Sequence, residues 1–356
     1  MIFDFFLRSF RILLLPFAFV YWLIIWIINK LYDLKIFRST SFGLPIISVG
    51  NLSVGGTGKS PMVEYLIGLL KNKYKIATLS RGYKRKTRGY ELAHENSTAL
   101  EIGDEPMQFH LKFPDIAVAV GEERIFAIPQ LLHDRPGTQL VILDDAFQHR
   151  AIKAGIDILL TDHDNLFVHD FYLPTGDLRD LKSSYKRAKI IVVTKCHPEL
   201  SGEEKNKIID QINPQPHQEI YFTAIEYGQC YSLLTKKGFE LKSSTTVILL
   251  TGIANPSPLK KLLEKYCEQY FMLQYPDHHI FTIDDLKNIR ERFEAVDAAD
   301  KIILTTEKDA VRLAKFGQEL EGLPLYVIPI RHHFLFNEGK KFNSSIESFI
   351  KNFERN

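Results

Sequence analysis

A short apolar segment that leads into a glycine-rich loop restricts the fold of this chain more than any other feature. The segment begins at Ile46 and predicts a buried strand, and the loop from Ser53 to Ser60 reads SVGGTGKS before a helical stretch. Glycines let backbone N–H groups approach a polyphosphate, and a helix N-terminus favours anions. Lys59 is placed to reach the β- and γ-phosphates, and Ser60 to bind Mg²⁺. The sequence therefore predicts a triphosphate site in an α/β fold.

One position of this loop departs from the usual G-x-x-x-x-G-K-[ST] pattern, because Ser53 stands where the first Gly is expected. We expect the later glycines to supply the backbone freedom instead. The alternative is a glycine-rich turn that binds nothing, but strand, loop, Lys, hydroxyl and helix occur together in order. The residues predicted to contact the nucleotide are Ser53, Val54, Gly55, Gly56, Thr57, Gly58, Lys59 and Ser60.

Two pairs of carboxylates are candidates for the chemistry. Asp144 and Asp145 follow four apolar residues that predict a buried parallel strand, where an enzyme of this class needs a carboxylate that holds a metal or orders water. Successive strand residues point to opposite faces, so only one of the two need contact Mg²⁺. Asp104 and Glu105 lie between a Gly and a Pro, and by spacing alone they equally suit a helix first turn, where acids favour the dipole.

Basic residues follow a second predicted strand, in the segment Arg81–Arg88. At the sheet edge that carries the phosphate loop they could meet an acidic substrate, or they could form a solvated loop. Arg179 could likewise clamp a phosphate or lie on the surface. In the second half, Asp277, His278 and His279 could bind a metal, assist a base or be structural.

Strands that alternate with helical stretches predict a doubly wound, mainly parallel sheet. We expect an N-terminal helix at 1–38, a phosphate-loop core at 39–220, a two-stranded linker at 221–245 and a smaller α/β domain at 246–356.

The N-terminal segment is apolar and suits a membrane. Residues from Ile12 to Ile28 carry no charge. As a helix this segment would be about 25 Å long, which is marginal for crossing a bilayer. Asp4, Arg8 and Arg11 precede them at helical spacing, a pattern typical of an interfacial helix, and Pro16 interrupts it. A buried core helix is the alternative; a cleaved signal peptide is disfavoured because no small-residue cleavage site follows.

Charge and cysteine usage exclude some classes. A net charge of +2 gives no global attraction to nucleic acid, and three widely spaced cysteines suit a reducing compartment rather than a disulfide framework or zinc site. Thr194–His197 lacks the Asp of a guanine-binding loop, and Gln148 occupies the position of a switch glycine, so a signalling GTPase is disfavoured.

The order of these motifs resembles the tetraacyldisaccharide 4′-kinase (lipid A 4′-kinase) family. The phosphate loop with its Ser53 is part of that family's pattern, and the match covers nearly the whole chain. The remaining motifs are Ser80–Tyr83, Gly103–Pro106, Asp144–His149, Leu173–Pro174 with Leu178–Arg179, Asp277–His279 and Thr306–Asp309.

The resemblance implies ATP-dependent phosphorylation of the 4′-hydroxyl of a tetraacylated glucosamine disaccharide 1-phosphate, at the cytoplasmic face of the inner membrane. It implies a phosphate-loop core and a smaller α/β domain, with the active site in the cleft. Asp104 would take the proton from the sugar hydroxyl, and Asp277 with His278 or His279 would orient it.

By the same resemblance, Lys59 and Ser60 would serve the phosphates and Mg²⁺. Glu105 and Asp144 would lie near the metal, with Asp145 beside them. The substrate contacts are expected from Arg81, Tyr83, Gln148 and Arg179. A competing hypothesis is a membrane-attached NTPase that acts as a binding switch or a metallochaperone.

Overall fold

The computed structural model describes residues 11–353. The strands, in chain order, are β1 (Ile46–Asn51), β2 (Ile76–Ser80), β3 (Glu91–Leu92), β4 (Ala117–Val120), β5 (Leu140–Asp144), β6 (Ile156–Asp162), β7 (Ile190–Thr194), β8 (Glu219–Tyr227), β9 (Cys230–Ser232), β10 (Gly238–Phe239), β11 (Thr246–Thr251), β12 (Tyr270–Gln274), β13 (Lys301–Thr306), β14 (Leu325–Ile328) and β15 (Ile330–Phe334). The helices are α1 (Leu15–Asp33), α2 (Lys59–Leu70), α3 (Ala99–Ile102), α4 (Asp104–Lys112), α5 (Arg124–Asp134), α6 (Gly202–Ile212), α7 (Ser257–Tyr266), α8 (Ile283–Glu294), α9 (Glu307–Leu313) and α10 (Gly339–Phe353).

Nine strands form the larger sheet, in the order β15-β8-β7-β6-β1-β5-β2-β4-β3, with β3 and β15 antiparallel at its two edges. The phosphate loop leaves the carboxyl end of the central strand β1, and Asp144 ends the adjacent β5. Every residue of β1 and of β5 is buried, as expected of strands in a parallel sheet that is covered on both faces. This confirms the doubly wound α/β class.

Six strands form the smaller sheet, in the order β10-β9-β14-β13-β11-β12. Its four parallel strands are β12, β11, β13 and β14. Apolar clusters that include Ile248, Leu250 and Ile303 lie on one side, and clusters that include Val247 and Leu249 lie on the other. We call this sheet with its helices the small unit, and the nine-stranded sheet with its helices the large unit.

The pairing of the connecting strands differs from the linker predicted at 221–245. Strand β8 pairs with β7 and β15, whereas the segment from Cys230 to Phe239 joins the small unit's sheet. The chain thus leaves the large unit along β8 and returns along β15, antiparallel to it. The prediction differs because strand periodicity indicates that a strand exists but does not indicate which strand it pairs with.

The C-terminal end of the smaller α/β domain, predicted at residue 356, also differs in the structure. After β15 the chain ends in α10, whose Phe342, Ile346 and Ile350 are buried in the same core as Ile47 and Val49 of β1. The last segment of the described chain therefore belongs to the large unit, because the apolar stripe of α10 covers that sheet and not the smaller one.

Residues 11 and 12 are helical, residues 13 and 14 form a turn, and helix α1 begins at Leu15 with Pro16 in its first turn, so the helical pattern is interrupted next to Pro16 as predicted. Proline is tolerated there because N–H groups of the first turn have no acceptor within the helix, so the missing N–H of proline costs no helical hydrogen bond. The helix has 19 residues, is apolar enough to cross a membrane by length and composition, and is mostly unburied. The predicted charges at Asp4 and Arg8 lie outside the described residues.

Candidate active site

The phosphate loop adopts the backbone that its glycines permit. Gly55 and Gly58 have φ values of +100° and +85°, and Gly58 precedes the first residue of α2. A Cβ atom at Gly58 would lie 3.0 Å from Cε1 of His332. The backbone is therefore left-handed at Gly55 and Gly58, and the His332 ring leaves no room for a side chain at Gly58. Helix α2 begins at Lys59, as predicted.

Ser53 occupies a position where glycine is not needed. Its φ is not positive, and it forms an isolated bridge with Leu178. On either side of it, the Val54 N–H donates to the Asp177 carbonyl at 2.7 Å, and the Arg179 N–H donates to the Leu52 carbonyl at 2.8 Å. The departure from the usual pattern is thus accommodated by strand-like pairing with the segment around Leu178.

Lys59 points back into the carboxyl end of the large sheet. Its Nζ donates to Asn51 Oδ1 at 3.2 Å and lies 3.6 Å from Asp145 Oδ1. Burial lowers the pKa of Lys59, and the negative charge of Asp145 opposes that effect.

His332 of β15 contacts the phosphate loop, and no sequence motif marks this residue. Burial lowers its pKa to about 4, so the ring is neutral at physiological pH. Its Nε2 lies 2.9 Å from the Gly58 carbonyl oxygen and its Nδ1 lies 2.9 Å from Thr223 Oγ1. A neutral ring that donates to Gly58 accepts from the Thr223 hydroxyl, which satisfies all polar atoms of this buried contact.

Asp144 and Asp145 differ sharply in environment. Burial raises the pKa of Asp144 to about 7, and the charges of Asp145 and Glu105 add to this. Asp144 Oδ2 accepts from Ser80 Oγ at 3.5 Å, whereas its buried Oδ1 has no hydrogen-bond partner among residues 11–353. A buried carboxylate oxygen without a partner is costly unless a ligand satisfies it.

Asp145 is held by Arg179. The guanidinium forms a two-pronged ion pair with the carboxylate, with Nη1 3.0 Å from Oδ2 and Nη2 bonded to Oδ1. Burial would raise the pKa of Asp145, but the Arg179 hydrogen bond and the charges of Lys59 and Arg179 outweigh it and lower the pKa to about 2. Arg179 also bonds Asn51, so it lies inside the site rather than on the surface.

The carboxylates present fit a magnesium ion that is completed by phosphate and water. Within the described chain no group of three or more His, Cys, Asp or Glu side chains is arranged to hold a metal alone. Mg²⁺ commonly uses one or two protein oxygens together with substrate phosphates. The free Oδ1 of Asp144 and the nearby charge of Glu105 meet that requirement, whereas each oxygen of Asp145 already accepts a hydrogen bond from Arg179.

Asp104 lies where the two units meet. It begins α4 directly after Gly103, whose φ is +94°. Its Oδ2 lies 3.0 Å from His278 Nδ1 and accepts from Arg312 Nε at 3.0 Å and Nη2 at 2.6 Å. Burial would raise the pKa of Asp104, but Arg312 and His278 together outweigh burial and lower it.

The two neighbouring histidines have different surroundings. His278 has a left-handed backbone, with φ +61°, and reaches Asp104, while its Nε2 is 3.9 Å from Asp277 Oδ2. His279 turns away, with Nε2 3.0 Å from Asp285 Oδ2 and its ring stacked on Tyr275. Only His278 of the pair contacts Asp104.

The small unit contributes a further cation beside Glu105. Lys308 Nζ donates to Glu105 Oε1 at 3.2 Å, and its charge is close enough to Lys59 to lower the pKa of that residue. The predicted Asp104–Glu105 pair thus faces α9, and the structure brings it near the phosphate loop.

The residues predicted to bind substrate separate into two groups. Arg81 is exposed and makes no hydrogen bond or ion pair within 11–353, and the ring of Tyr83 lies edge-on to His278 with centroids 6.3 Å apart. Residues 81–88 line, with Glu122, a cavity of about 420 Å³. Gln148 instead contacts the end of β1, where its Nε2 donates to the Asn51 carbonyl at 2.6 Å.

Arg124 is a charged residue of the site that the sequence did not reveal. It is 1% exposed, and its Nε and Nη2 have no partner among the described residues. Burial lowers its pKa to about 10, and the charges of Asp144 and Asp145 oppose the shift. No motif marks Arg124, because its burial depends on the packing of α5 against the sheet.

Comparison with known proteins points to one family. The model of the LpxK family, tetraacyldisaccharide-1-P 4′-kinase, matches residues 10–351. A tetraacyldisaccharide 4′-kinase of Flavobacterium johnsoniae is 48% identical over 345 residues, covering 96% of this chain and 97% of the relative. The Bacteroides thetaiotaomicron protein of the same name is 43% identical over 358 residues, covering 96% and 94%.

A solved structure agrees in fold. The crystal structure of an "apo" form of LpxK from Aquifex aeolicus in complex with ATP superposes with a TM-score of 0.75 at 26% sequence identity, covering 96% of this chain and 99% of that one.

Proposed function

This chain belongs to the tetraacyldisaccharide-1-P 4′-kinase family and is an ATP-dependent kinase of lipid A biosynthesis, and we propose how its residues carry out the transfer. The acceptor is the 4′-hydroxyl of tetraacyldisaccharide 1-phosphate. The observation that carries the assignment of roles is the meeting of Asp104 of the large unit with His278 and Arg312 of the small unit.

The donor half of the site is the phosphate loop. Its backbone N–H groups and the N-terminus of α2 receive the phosphates of ATP, and Lys59 moves from Asn51 and Asp145 to the β- and γ-phosphates. Asp145 then remains paired with Arg179.

Ser60, Asp144 and Glu105 are the residues proposed to hold Mg²⁺ with the phosphates. The ion would neutralise charge on the triphosphate during transfer. The unpartnered Oδ1 of Asp144 supports this assignment, because a cation would satisfy it.

Asp104 is proposed to accept the proton of the 4′-hydroxyl. A carboxylate base supplies both orientation and proton acceptance in phosphoryl transfer, where positioning and charge neutralisation dominate. The three contacts from His278 and Arg312 all reach Oδ2, and no hydrogen bond from the described chain reaches Oδ1. Oδ1 is therefore the atom offered to the sugar hydroxyl.

We assign the phosphorylated disaccharide and the membrane to different surfaces of the protein. Arg81 and Tyr83 line the basic cavity of residues 81–88, which suits the negatively charged disaccharide. Helix α1 would lie in or cross the inner membrane, with the catalytic units on the cytoplasmic side where ATP is present. Nucleic acid is not an expected partner.

The test is an acceptor assay with purified protein, γ-labelled ATP, Mg²⁺ and tetraacyldisaccharide 1-phosphate in detergent micelles. We expect label on the lipid and a product with a second phosphate. Hydrolysis of ATP to the same extent with and without the lipid, and no labelled lipid, would indicate an NTPase switch or metallochaperone instead.

A further inference from the structure

Helix α9 of the small unit faces α4 of the large unit with opposite charges. Glu307 pairs with Lys112, Lys308 with Glu105, and Arg312 with Asp104, at N–O distances of 2.6, 3.2 and 2.6 Å. The two helices therefore meet in one register, and each end of α4 is fixed by a residue of α9.

Arg312 differs from the other two residues in how firmly it is itself held. Its side chain is 6% exposed, and its Nη1 donates to Asp309 Oδ1 at 3.2 Å and to the Gly252 carbonyl at 3.3 Å. Asp309 is fully buried, and its Oδ2 accepts from the Gly252 N–H at 3.0 Å and from Thr306 Oγ1 at 2.8 Å. The guanidinium is thus fixed at the back by the end of β11 and the first turn of α9.

The front of the guanidinium meets Asp104. Nε and Nη2 both reach the same carboxylate oxygen, Oδ2, and Nη2 also lies 3.0 Å from His278 Nδ1. A planar fork with several donors restricts the rotation of a carboxylate far more than a point charge does. Arg312 therefore fixes the direction in which Oδ1 points.

We propose that Arg312 is a positioning residue that orients Asp104 towards the acceptor hydroxyl. This inference rests on the proposed role of Asp104 as the base. It assigns the small unit a direct part in arranging the catalytic carboxylate, through a residue 208 positions away in the chain. Arg312 would act through Asp104 and would contribute little to the binding of ATP.

The experiment compares Arg312→Gln, Arg312→Lys and Lys112→Gln in the acceptor assay, with the full chain in micelles. For Arg312→Gln we expect kcat to fall about 10- to 100-fold, since a displacement of about 1 Å at a reacting group costs that much. The KM for ATP should change by less than about threefold. Arg312→Lys keeps a charge but loses the fork, so its kcat should lie between those of the wild type and Arg312→Gln.

Lys112→Gln is the control, because it breaks the ion pair with Glu307 of α9, together with the one to Glu64 of the large unit, without touching Asp104. If Arg312 only held the two helices together, Lys112→Gln would lower kcat as much as Arg312→Gln, and the proposal would be overturned. An unchanged kcat in either Arg312 variant would overturn it as well. Should Arg312→Gln fail to fold, as judged by circular dichroism, the kcat of Arg312→Lys decides on the same terms.

A double-mutant cycle separates this inference from the proposed function. If Arg312 acts through Asp104, Arg312→Gln will have almost no further effect on the residual kcat of Asp104→Asn. Equal fold-losses in both backgrounds would overturn the positioning role. A near-normal kcat for Asp104→Asn alone would instead remove Asp104 from the base role, whatever Arg312 does.

Discussion

Asn29 of the apolar helix α1 donates a buried hydrogen bond to Asp180, with Nδ2 3.0 Å from Oδ1. Arg150 adds to this attachment by donating to the carbonyl oxygen and Oδ1 of Asn29, both at 2.9 Å, and by pairing with Asp33. Asp180 follows Arg179, the residue that clamps Asp145. The helix expected to meet the membrane is therefore fixed to the segment that borders the active site.

Removing the side-chain amide of Asn29 should weaken this attachment. Asn29→Leu keeps the size but loses the side-chain bonds to Asp180 and Arg150, so the free energy of unfolding should fall by about 1–3 kcal/mol. Chemical denaturation in micelles measures it. The control is Asn352→Ala, at an exposed position of α10, for which a change within about 0.5 kcal/mol is expected. Equal stability of the two variants would contradict a structural role for the Asn29 contacts.

The exposed apolar face of α1 should decide recovery with membranes. Phe17 and Ile24 are 66% and 51% exposed, and replacing both by Glu should reduce the fraction that floats with anionic phospholipid vesicles several-fold, since each carboxylate opposes insertion. Phe126→Glu changes a residue that is 64% exposed on α5 and should float like the wild type. Unchanged flotation of the double variant would mean that α1 is not the main membrane contact.

The charge of Asp144 should set the magnesium requirement. Asp144→Asn keeps the shape but lowers the negative charge, so the Mg²⁺ concentration for half-maximal activity should rise about tenfold or more, and EDTA should abolish activity of the wild type. Asp115→Asn, an exposed acid paired with Lys71, should leave the Mg²⁺ titration unaltered. A wild-type Mg²⁺ titration for Asp144→Asn would rule this carboxylate out.

His332 should make the folded state sensitive to acid. Its pKa is lowered by burial to about 4 in the folded chain, against an unfolded value of 6.5. Because the folded pKa is depressed, its stabilisation is complete above pH 6.5 and is lost as the pH falls towards 4, a loss of up to about 3 kcal/mol. His332→Gln keeps a donor for Gly58 but does not titrate. Between pH 7 and pH 4, the free energy of unfolding measured in urea should therefore fall by about 3 kcal/mol more in the wild type than in His332→Gln. An equal fall in both proteins would argue against a neutral His332.

Asp104 should control turnover rather than nucleotide binding. Asp104→Asn keeps the size but cannot accept the proton, so kcat should fall about 10²- to 10⁴-fold, while the dissociation constant of ATP stays near that of the wild type. Single-turnover kinetics and equilibrium binding of a fluorescent ATP analogue measure the two quantities. Asp277→Asn, whose side chain is half exposed beside His278, should have a much smaller effect on kcat.

The sequence by itself determined the features that depend on short spacings. The order of strand, glycine loop, Lys59 and Ser60 predicted a donor site, and the apolar run before Asp144 placed a carboxylate at the end of a strand next to β1. These signals are local, since strand alternation, loop glycines and helix starts involve neighbouring residues. The apolar helix at the N-terminus was visible for the same reason.

Only the tertiary structure decided which distant residues complete the site. His278, Arg312 and His332 reach their partners across 174, 208 and 274 positions of the chain, and Arg124 differs from a surface Arg only in its burial. The choice of His278 over His279 depends on one left-handed backbone position. The spacing of neighbouring residues does not predict such contacts, because the pairing of β15 with the large sheet and the packing of α9 on α4 depend on the complete fold.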